Sequence, residues 1–207
     1  MLKGSKTAEN LMKSFAGECQ ARTRYTYYSS IAKKEGYIQI ANIFMETAEQ
    51  EKEHAKIFLK FLKSEYNDEE IEIKASYPVA LHEETKNNLM KAADGENAEW
   101  TKDYPQFAQI AKKEGFNKIA MAYEKIAKIE ARHERRYRRL LNNMEKDICE
   151  CIVRPGNKLH IGAKVIFGDG LLKAEVLDTM PGGTRKVEFH YEGIFNEILD
   201  KIGLMPL

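Results

Sequence analysis

The sequence predicts a mainly α-helical chain. It should form a four-helix bundle with a long crossover between helices 2 and 3, followed by a small β-rich C-terminal segment. Three observations predict this. Apolar residues recur at alternating spacings of four and three along four long stretches before residue 146. The two halves of that region repeat each other. Beyond residue 147 the pattern changes to short alternating runs punctuated by Gly and Pro. The expected division is therefore a bundle over 1–146 and a small β-rich unit over 147–207.

The repeat is the most informative feature. Glu51-Lys-Glu-His54 recurs as Glu130-Ala-Arg-His133. Ile31-Ala-Lys-Lys-Glu-Gly36 precedes the first copy by the same distance as Ile110-Ala-Lys-Lys-Glu-Gly115 precedes the second. Ile40-Ala41 answers Ile119-Ala120, and Ala48 answers Ala127. Gly17-Glu18 answers Gly95-Glu96, with the register slipped by one residue. Each half thus supplies a lone Glu and then a Glu-x-x-His. Residues at i and i+3 on a helix point the same way, about one turn apart.

Taken in order, Thr7 to Glu35 reads as a first helix, which Thr7 with nearby Asn10 can cap. Gly36 can take the left-handed conformation that ends it. A second helix runs from about Tyr37 to Ser64 on the seam Ile40, Phe44, Thr47, Glu51, His54, Phe58, Phe61. The tight turn between them makes the two antiparallel neighbours. Residues 65–80, with Asn67, Asp68, Ile71-Glu-Ile73 and Pro78, break the pattern. Extended, they reach ~53 Å, enough to cross a bundle of ~42 Å helices, as in ferritin-like folds. A third helix from about Leu81 to Glu114 carries Leu89, Ala92, Glu96, Glu99 and Asp103, and Pro105 predicts a kink near Tyr104. The fourth follows Gly115 on Ile119, Tyr123, Ile126, Glu130, His133, Tyr137, Leu140 and Met144. Past the bundle, strands are expected at Lys158–Ile161, Lys164–Phe167, Lys173–Leu177 and Lys186–Tyr191, and a short helix over Gly193–Gly203.

Composition excludes several function classes. The 207 residues are 43% hydrophobic and 31% charged, and the net charge of +1 gives no global attraction to nucleic acid or acidic membranes. No apolar run approaches the ~20 residues of a membrane span, and Met1-Leu-Lys-Gly-Ser5 has no signal-peptide core. Cys19, Cys149 and Cys151 make no disulfide framework. A cytoplasmic protein is expected, with neither membrane nor nucleic acid among its partners.

Glu18, Glu51, His54, Glu96, Glu130 and His133 fall on the buried seams, one turn from Phe or Ile. A phase error would place them on the surface, but it would have to occur on four helices at once. Buried unpaired carboxylates cost many kcal/mol, so they protonate or find cations. With Glu99 the seams hold five carboxylates and two imidazoles, formally about −5, which two divalent or trivalent metals would offset. Oxygen ligands with imidazole suit iron or manganese, and a lone Glu plus Glu-x-x-His from each half is the ligand set of two-metal carboxylate bundles.

Residues 1–146 closely resemble the rubrerythrins, ferritin-like di-iron peroxidases. The resemblance rests on Phe15-Ala-Gly-Glu-Cys-Gln-Ala-Arg22, Tyr25-Thr-Tyr27, Ala32-Lys-Lys-Glu-Gly36, Glu46-Thr-Ala-Glu-Gln-Glu-Lys-Glu-His-Ala-Lys56, Gly95-Glu-Asn-Ala-Glu99, Tyr104-Pro105 and Glu130-x-x-His133. It implies two iron ions per chain, with manganese the alternative. Glu51 and Glu130 would bridge them, Glu18 and Glu96 would hold one each, and His133 would bind one iron. The other iron would exchange Glu99 for His54 as it changes oxidation state, which makes those two residues catalytic. The implied activity is reduction of hydrogen peroxide to water in oxidative-stress defence, with electrons from an external donor such as a rubredoxin. A homodimer is implied as well. The alternative is a ferritin-like protein that binds and oxidises iron without donor-coupled turnover.

The resemblance ends in the tail. Rubrerythrins usually finish with a rubredoxin domain built on two Cys-x-x-Cys pairs, whereas Cys149-Glu-Cys151 offers too few thiolates at the wrong spacing. Instead Val153-Arg-Pro-Gly156, Val165-Ile-Phe-Gly-Asp-Gly170, Ala174-Glu-Val176 and Tyr191-Glu-Gly-Ile-Phe195 resemble an internal piece of the S-adenosylmethionine:tRNA ribosyltransferase-isomerase of queuosine synthesis. No transferase chemistry is expected from so small a part. Arg132, Arg135, Arg136, Arg138 and Arg139 crowd the fourth helix; a solvated, acid-paired face is the plainer reading, and a docking patch for an electron donor or an RNA contact are the others. Tyr25, Tyr27 and Tyr123 are candidates for groups that protect or relay electrons near the metals, although plain core is the commoner role of aromatic residues on helix seams.

Overall fold

The computed structural model describes residues 1–145, 147–154, 156, 158–191 and 195–203. It divides into two units, Met1–Arg139 and Leu140–Leu207.

Helix α1 spans Lys6–Lys34. Its cap is Ser5, whose hydroxyl accepts from the Ala8 N–H at 3.1 Å, and not Thr7 or Asn10. Thr7 lies inside the first turn, where its hydroxyl donates to Glu114 Oε2 at 2.5 Å. The helix ends as expected at Gly36, with φ 85°. The Gly36 N–H donates to the Lys33 carbonyl and the Tyr37 N–H to the Ala32 carbonyl, which satisfies two otherwise orphaned acceptors. The repeat reproduces this turn atom for atom: Gly115 has φ 84°, with Gly115 donating to Lys112 and Phe116 to Ala111.

Helix α2 spans Ile38–Tyr66, two residues beyond the expected end. The crossover then follows the length of α1. Lys3 pairs with Glu69 near its start, the Tyr77 hydroxyl donates to the Lys13 carbonyl at 2.8 Å, and Tyr28 donates to the Ala80 carbonyl at 2.6 Å. The Ile71-Glu-Ile73 alternation forms no strand.

The expected third helix, Leu81–Glu114, is three segments. Helix α3 covers Thr85–Ala98, a π-helical stretch covers Glu99–Asp103, and α4 covers Tyr104–Lys113. The irregularity therefore starts five residues before the expected kink. Pro105 cannot donate a backbone hydrogen bond, and the wider π turn ends just before it, with the Tyr104 N–H reaching the Glu99 carbonyl. Helix α5 spans Asn117–Glu145.

Two layers of side chains fill the bundle. At one end Leu11, Phe58, Leu62, Tyr104, Ile119, Tyr123 and Ile126 form a buried cluster. At the other, Tyr25, Tyr28, Phe44 and Tyr137 pack with ring centroids 5.3–6.1 Å apart. The carboxylate and histidine seam runs between these layers, with apolar and aromatic side chains packed at either end of it.

The second unit holds a four-stranded antiparallel sheet in the order β1-β4-β3-β2. The strands are β1 (Ile148–Cys151), β2 (Lys164–Phe167), β3 (Leu172–Thr179) and β4 (Arg185–Tyr191). Three of the four expected strands form. Lys158–Ile161 does not, because the chain turns there, with Ala163 N–H donating to the His160 carbonyl. Ile148–Cys151 takes the remaining place against β4. Ala174, Val176 and Val187 make the small core. Helix α6 spans Phe195–Ile202; the first two positions of the expected helix, Gly193 and Ile194, lie outside the described residues.

Candidate metal centre

Four helices bring six of the seven expected ligands to one place. Helix α1 contributes Glu18, α2 Glu51 and His54, α3 Glu96, and α5 Glu130 and His133. All six are buried to 5% exposure or less. His54 Nδ1 lies 2.8 Å from Glu51 Oε2, 2.8 Å from Glu130 Oε1 and 3.8 Å from Glu18 Oε1. His133 Nδ1 lies 2.8 Å from Glu130 Oε2, 3.2 Å from Glu51 Oε1 and 3.6 Å from Glu96 Oε2. Two quartets result, Glu18/Glu51/His54/Glu130 and Glu51/Glu96/Glu130/His133, each with ligand atoms within 4.8 Å of one another. Glu51 and Glu130 belong to both.

The seventh, Glu99, joins neither quartet and keeps some exposed surface. It opens the π-helical stretch. Burial, and then the charges of Glu96, Glu130 and Glu51, push its carboxyl well above the usual range. The repeat explains the stretch itself. Seven residues separate Glu18 from Tyr25, and eight separate Glu96 from Tyr104. The one-residue slip in the repeat falls where the π turn absorbs an extra residue.

Those two tyrosines act on the site crosswise. Tyr25 of the first half donates to Glu96 Oε1 at 2.6 Å, and Tyr104 of the second donates to Glu18 Oε1 at 2.5 Å. Burial pushes both phenols well above their ordinary range, so each stays a proton donor. Tyr104 was missed as a site residue in the sequence, although the repeat matches it to Tyr25. Tyr27 is half exposed, and Tyr123 bonds to Ser14 at 3.2 Å.

The donor set fits bound cations. Glu18 Oε2, Glu51 Oε1, Glu96 Oε2, both Glu130 oxygens and His133 Nδ1 are buried without a hydrogen-bond partner among the described residues. Several of these atoms stand close to one another at angles that form no hydrogen bond. Buried polar atoms are nearly always satisfied, and six converging orphans of this chemistry call for metal. Without it the cluster takes up protons. Burial and neighbouring carboxylates push Glu18 well up and Glu96 to about 8. Burial alone would lower the histidines, but the Glu130 and Glu51 carboxylates standing against them raise His54 to about 10 and His133 to about 12. Glu51, despite burial, is held at about 2 by the two imidazoles beside it, His133 and His54.

A pH dependence follows for the metal-free protein. Folded Glu96 keeps its proton to about 8 against 4.5 in the unfolded chain, and His54 keeps its proton to about 10 against 6.5. The folded state then binds more protons across these windows, so stability is full below them and is lost as pH rises. Glu51 opposes only at the acid end, losing its contribution as pH falls from 4.5 towards 2. The thermal midpoint of the metal-free protein is expected to be highest near about pH 5 and to drop towards about pH 9, by about 2–4 °C for each kcal/mol. Divalent metal should flatten that slope. A calorimetric pH series with and without metal checks it.

Outside the centre, Arg136 pairs with Glu46 through two bonds of 2.8 and 2.9 Å, and Arg138 pairs with Glu134 and Asp94. These support the solvated-face reading for part of the arginine cluster. On β1 the Cys151 thiol is pushed up to about 11 by burial and then by Cys149 and Glu150, which disfavours the thiolate a metal needs.

A family model described as Rubrerythrin matches residues 9–141. The chain is 60% identical over 145 residues to the rubrerythrin of Clostridium perfringens, which covers 70% of this chain and 74% of that one. Among solved structures it is similar to nigerythrin in its fully reduced, all-ferrous state, at 31% identity and a TM-score of 0.60, covering 70% and 73%. A further match over 68 residues, 33% of this chain, is 50% identical to the S-adenosylmethionine:tRNA ribosyltransferase-isomerase of Desulfitobacterium hafniense, but spans only 20% of that enzyme.

Proposed function

The chain belongs to the rubrerythrin family, and on that premise we propose that its bundle is a di-iron peroxidase that reduces hydrogen peroxide to water with electrons from an external donor. The observation that carries this reading is the pair of quartets sharing Glu51 and Glu130. Two adjacent cations held by two common carboxylates suit a two-electron reaction. Iron bound there would supply one electron from each ion to the O–O bond, with two protons completing two waters.

In this reading Glu51 and Glu130, common to both quartets, would serve both ions, Glu18 and Glu96 would each hold one, and His54 and His133 would add one imidazole apiece. Tyr25 and Tyr104 keep Glu96 and Glu18 aimed inward. Glu99 and His54 would be the ligands that one iron exchanges as its oxidation state changes. The aromatic layers keep bulk water out, and an open depression lined by Glu46, Glu53, His54 and Arg132 gives a small peroxide molecule an approach to His54. The electron donor is a separate protein of the rubredoxin kind, and the protein works as a cytoplasmic homodimer. No helix among the described residues is long and apolar enough to cross a membrane. Repeated turnover of peroxide in the presence of reductant tests the reading; a single oxidation followed by iron retention would favour the ferritin-like alternative.

The proposed domain division places residues 147–207 outside the centre. A chain truncated after Lys146 is expected to bind two metals with unchanged affinity, because every proposed ligand precedes that point. Metal titration of the folded truncated protein checks this.

A further inference from the structure

The two histidines are not held alike. His133 presents Nδ1 to Glu51, Glu96 and Glu130, and its other ring nitrogen, Nε2, lies 2.6 Å from Gln50 Oε1. An amide oxygen can only accept, so His133 Nε2 carries a proton, and Nδ1 is the nitrogen whose lone pair a bound metal would take. His54 also presents Nδ1 to the carboxylates, but among the described residues all its polar contacts are made through that nitrogen. The repeat accounts for the difference. Gln50 precedes Glu51 as Ile129 precedes Glu130, so Ile129 is the position that answers Gln50. Both are half-buried, and both line the depression that reaches His54. One half of the chain places an acceptor behind the facing histidine. The other has a hydrocarbon at the matching position of the repeat.

We infer that Gln50 is a positioning residue that fixes His133 as the permanent imidazole of the centre, while Ile129 leaves His54 free to turn away. This rests on the reading of the cluster as a two-metal centre. A ligating imidazole anchored through its second nitrogen is held in tautomer and orientation, and loss of such a partner costs roughly 10–100-fold in metal affinity. The two metal positions should therefore be unequal, the one served by His133 being tighter. The departure of Glu99 from the repeat and the departure of Ile129 then have complementary effects: the first adds a carboxylate beside the centre, and the second loosens one histidine.

The test uses zinc, which is diamagnetic and needs no turnover. The full-length protein is titrated with Zn²⁺ against a chromophoric chelator, and ¹H–¹⁵N spectra of the loaded protein record imidazole N–H groups. Wild type should bind two Zn²⁺ with unequal affinity and show one Nε2–H protected from solvent exchange. Gln50→Leu should lose that protected proton and weaken the tight site roughly 10–100-fold. Gln50→Glu, which retains an acceptor, should keep both. Ile129→Gln should add a second protected proton and tighten the weak site. A tight site and protected proton that survive Gln50→Leu overturn the inference, as does an Ile129→Gln variant with no second protected proton. Wild type binding fewer than two Zn²⁺ would instead bring down the two-metal reading itself.

Discussion

Replacing Glu51 by alanine is expected to weaken both metal positions together. Glu51, like Glu130, is a buried carboxylate whose two oxygens face different histidines, at 2.8 Å from His54 and 3.2 Å from His133. Removing it takes one ligand from each quartet and leaves both imidazoles facing a gap. The loss should exceed the roughly 10–100-fold that removal of an outer partner costs, and it should appear at both sites in one titration. By contrast, Glu18→Ala should affect mainly one site, because Glu18 belongs to a single quartet. Retention of full double occupancy by Glu51→Ala would remove that residue from the centre.

The second large effect is expected at Glu99. Its carboxyl stands beside the quartets without joining either, and it feels the charges of Glu96, Glu130 and Glu51 strongly. An extra carboxylate stabilises the more positive, oxidised pair of metals, whereas neutral His54 suits the reduced pair. Glu99→Ala should therefore still bind two irons but reduce peroxide at least about tenfold more slowly, a barrier increase of ~1.4 kcal/mol. Its oxidation by dioxygen should change less. Stopped-flow oxidation of the reduced variant by each oxidant gives the comparison, and equal slowing towards both would refute the preference assigned to this residue.

Most of the bundle was legible in the sequence because its seams obey one period. Phe44, Glu51, His54 and Phe58 fall on one buried face of α2 whether the side chain is apolar or charged, so the phase located both the core and the candidate cluster. The tight turns at Gly36 and Gly115 were legible for a similar reason, since an Ile-Ala-Lys-Lys-Glu-Gly run ending in glycine has few other conformations. What escaped was set by tertiary partners. Thr7 looked like a cap, but Ser5 holds that role and the Thr7 hydroxyl is taken by Glu114, far along the chain. Pro105 announced an irregularity but not its kind; the π turn lies ahead of it, where the repeat carries one extra residue. Tyr104 and Gln50 act through contacts between halves, Tyr104 on Glu18 and Gln50 on His133, which no local spacing reveals. In the β-rich segment Lys158–Ile161 has strand composition, yet Gly162 and the His160 turn divert it, and the polar Cys149-Glu150 edge pairs instead.

The di-iron reading requires that two irons bound between Glu18, Glu51, His54, Glu96, Glu99, Glu130 and His133 be oxidised as a pair by peroxide. It is tested most directly by metal analysis of anaerobically purified, reduced protein followed by stopped-flow addition of hydrogen peroxide at limiting stoichiometry. The account predicts two irons per chain, both oxidised by a single equivalent of peroxide, and their re-reduction by added donor over many cycles. One iron per chain, or two irons that peroxide leaves ferrous, would contradict it.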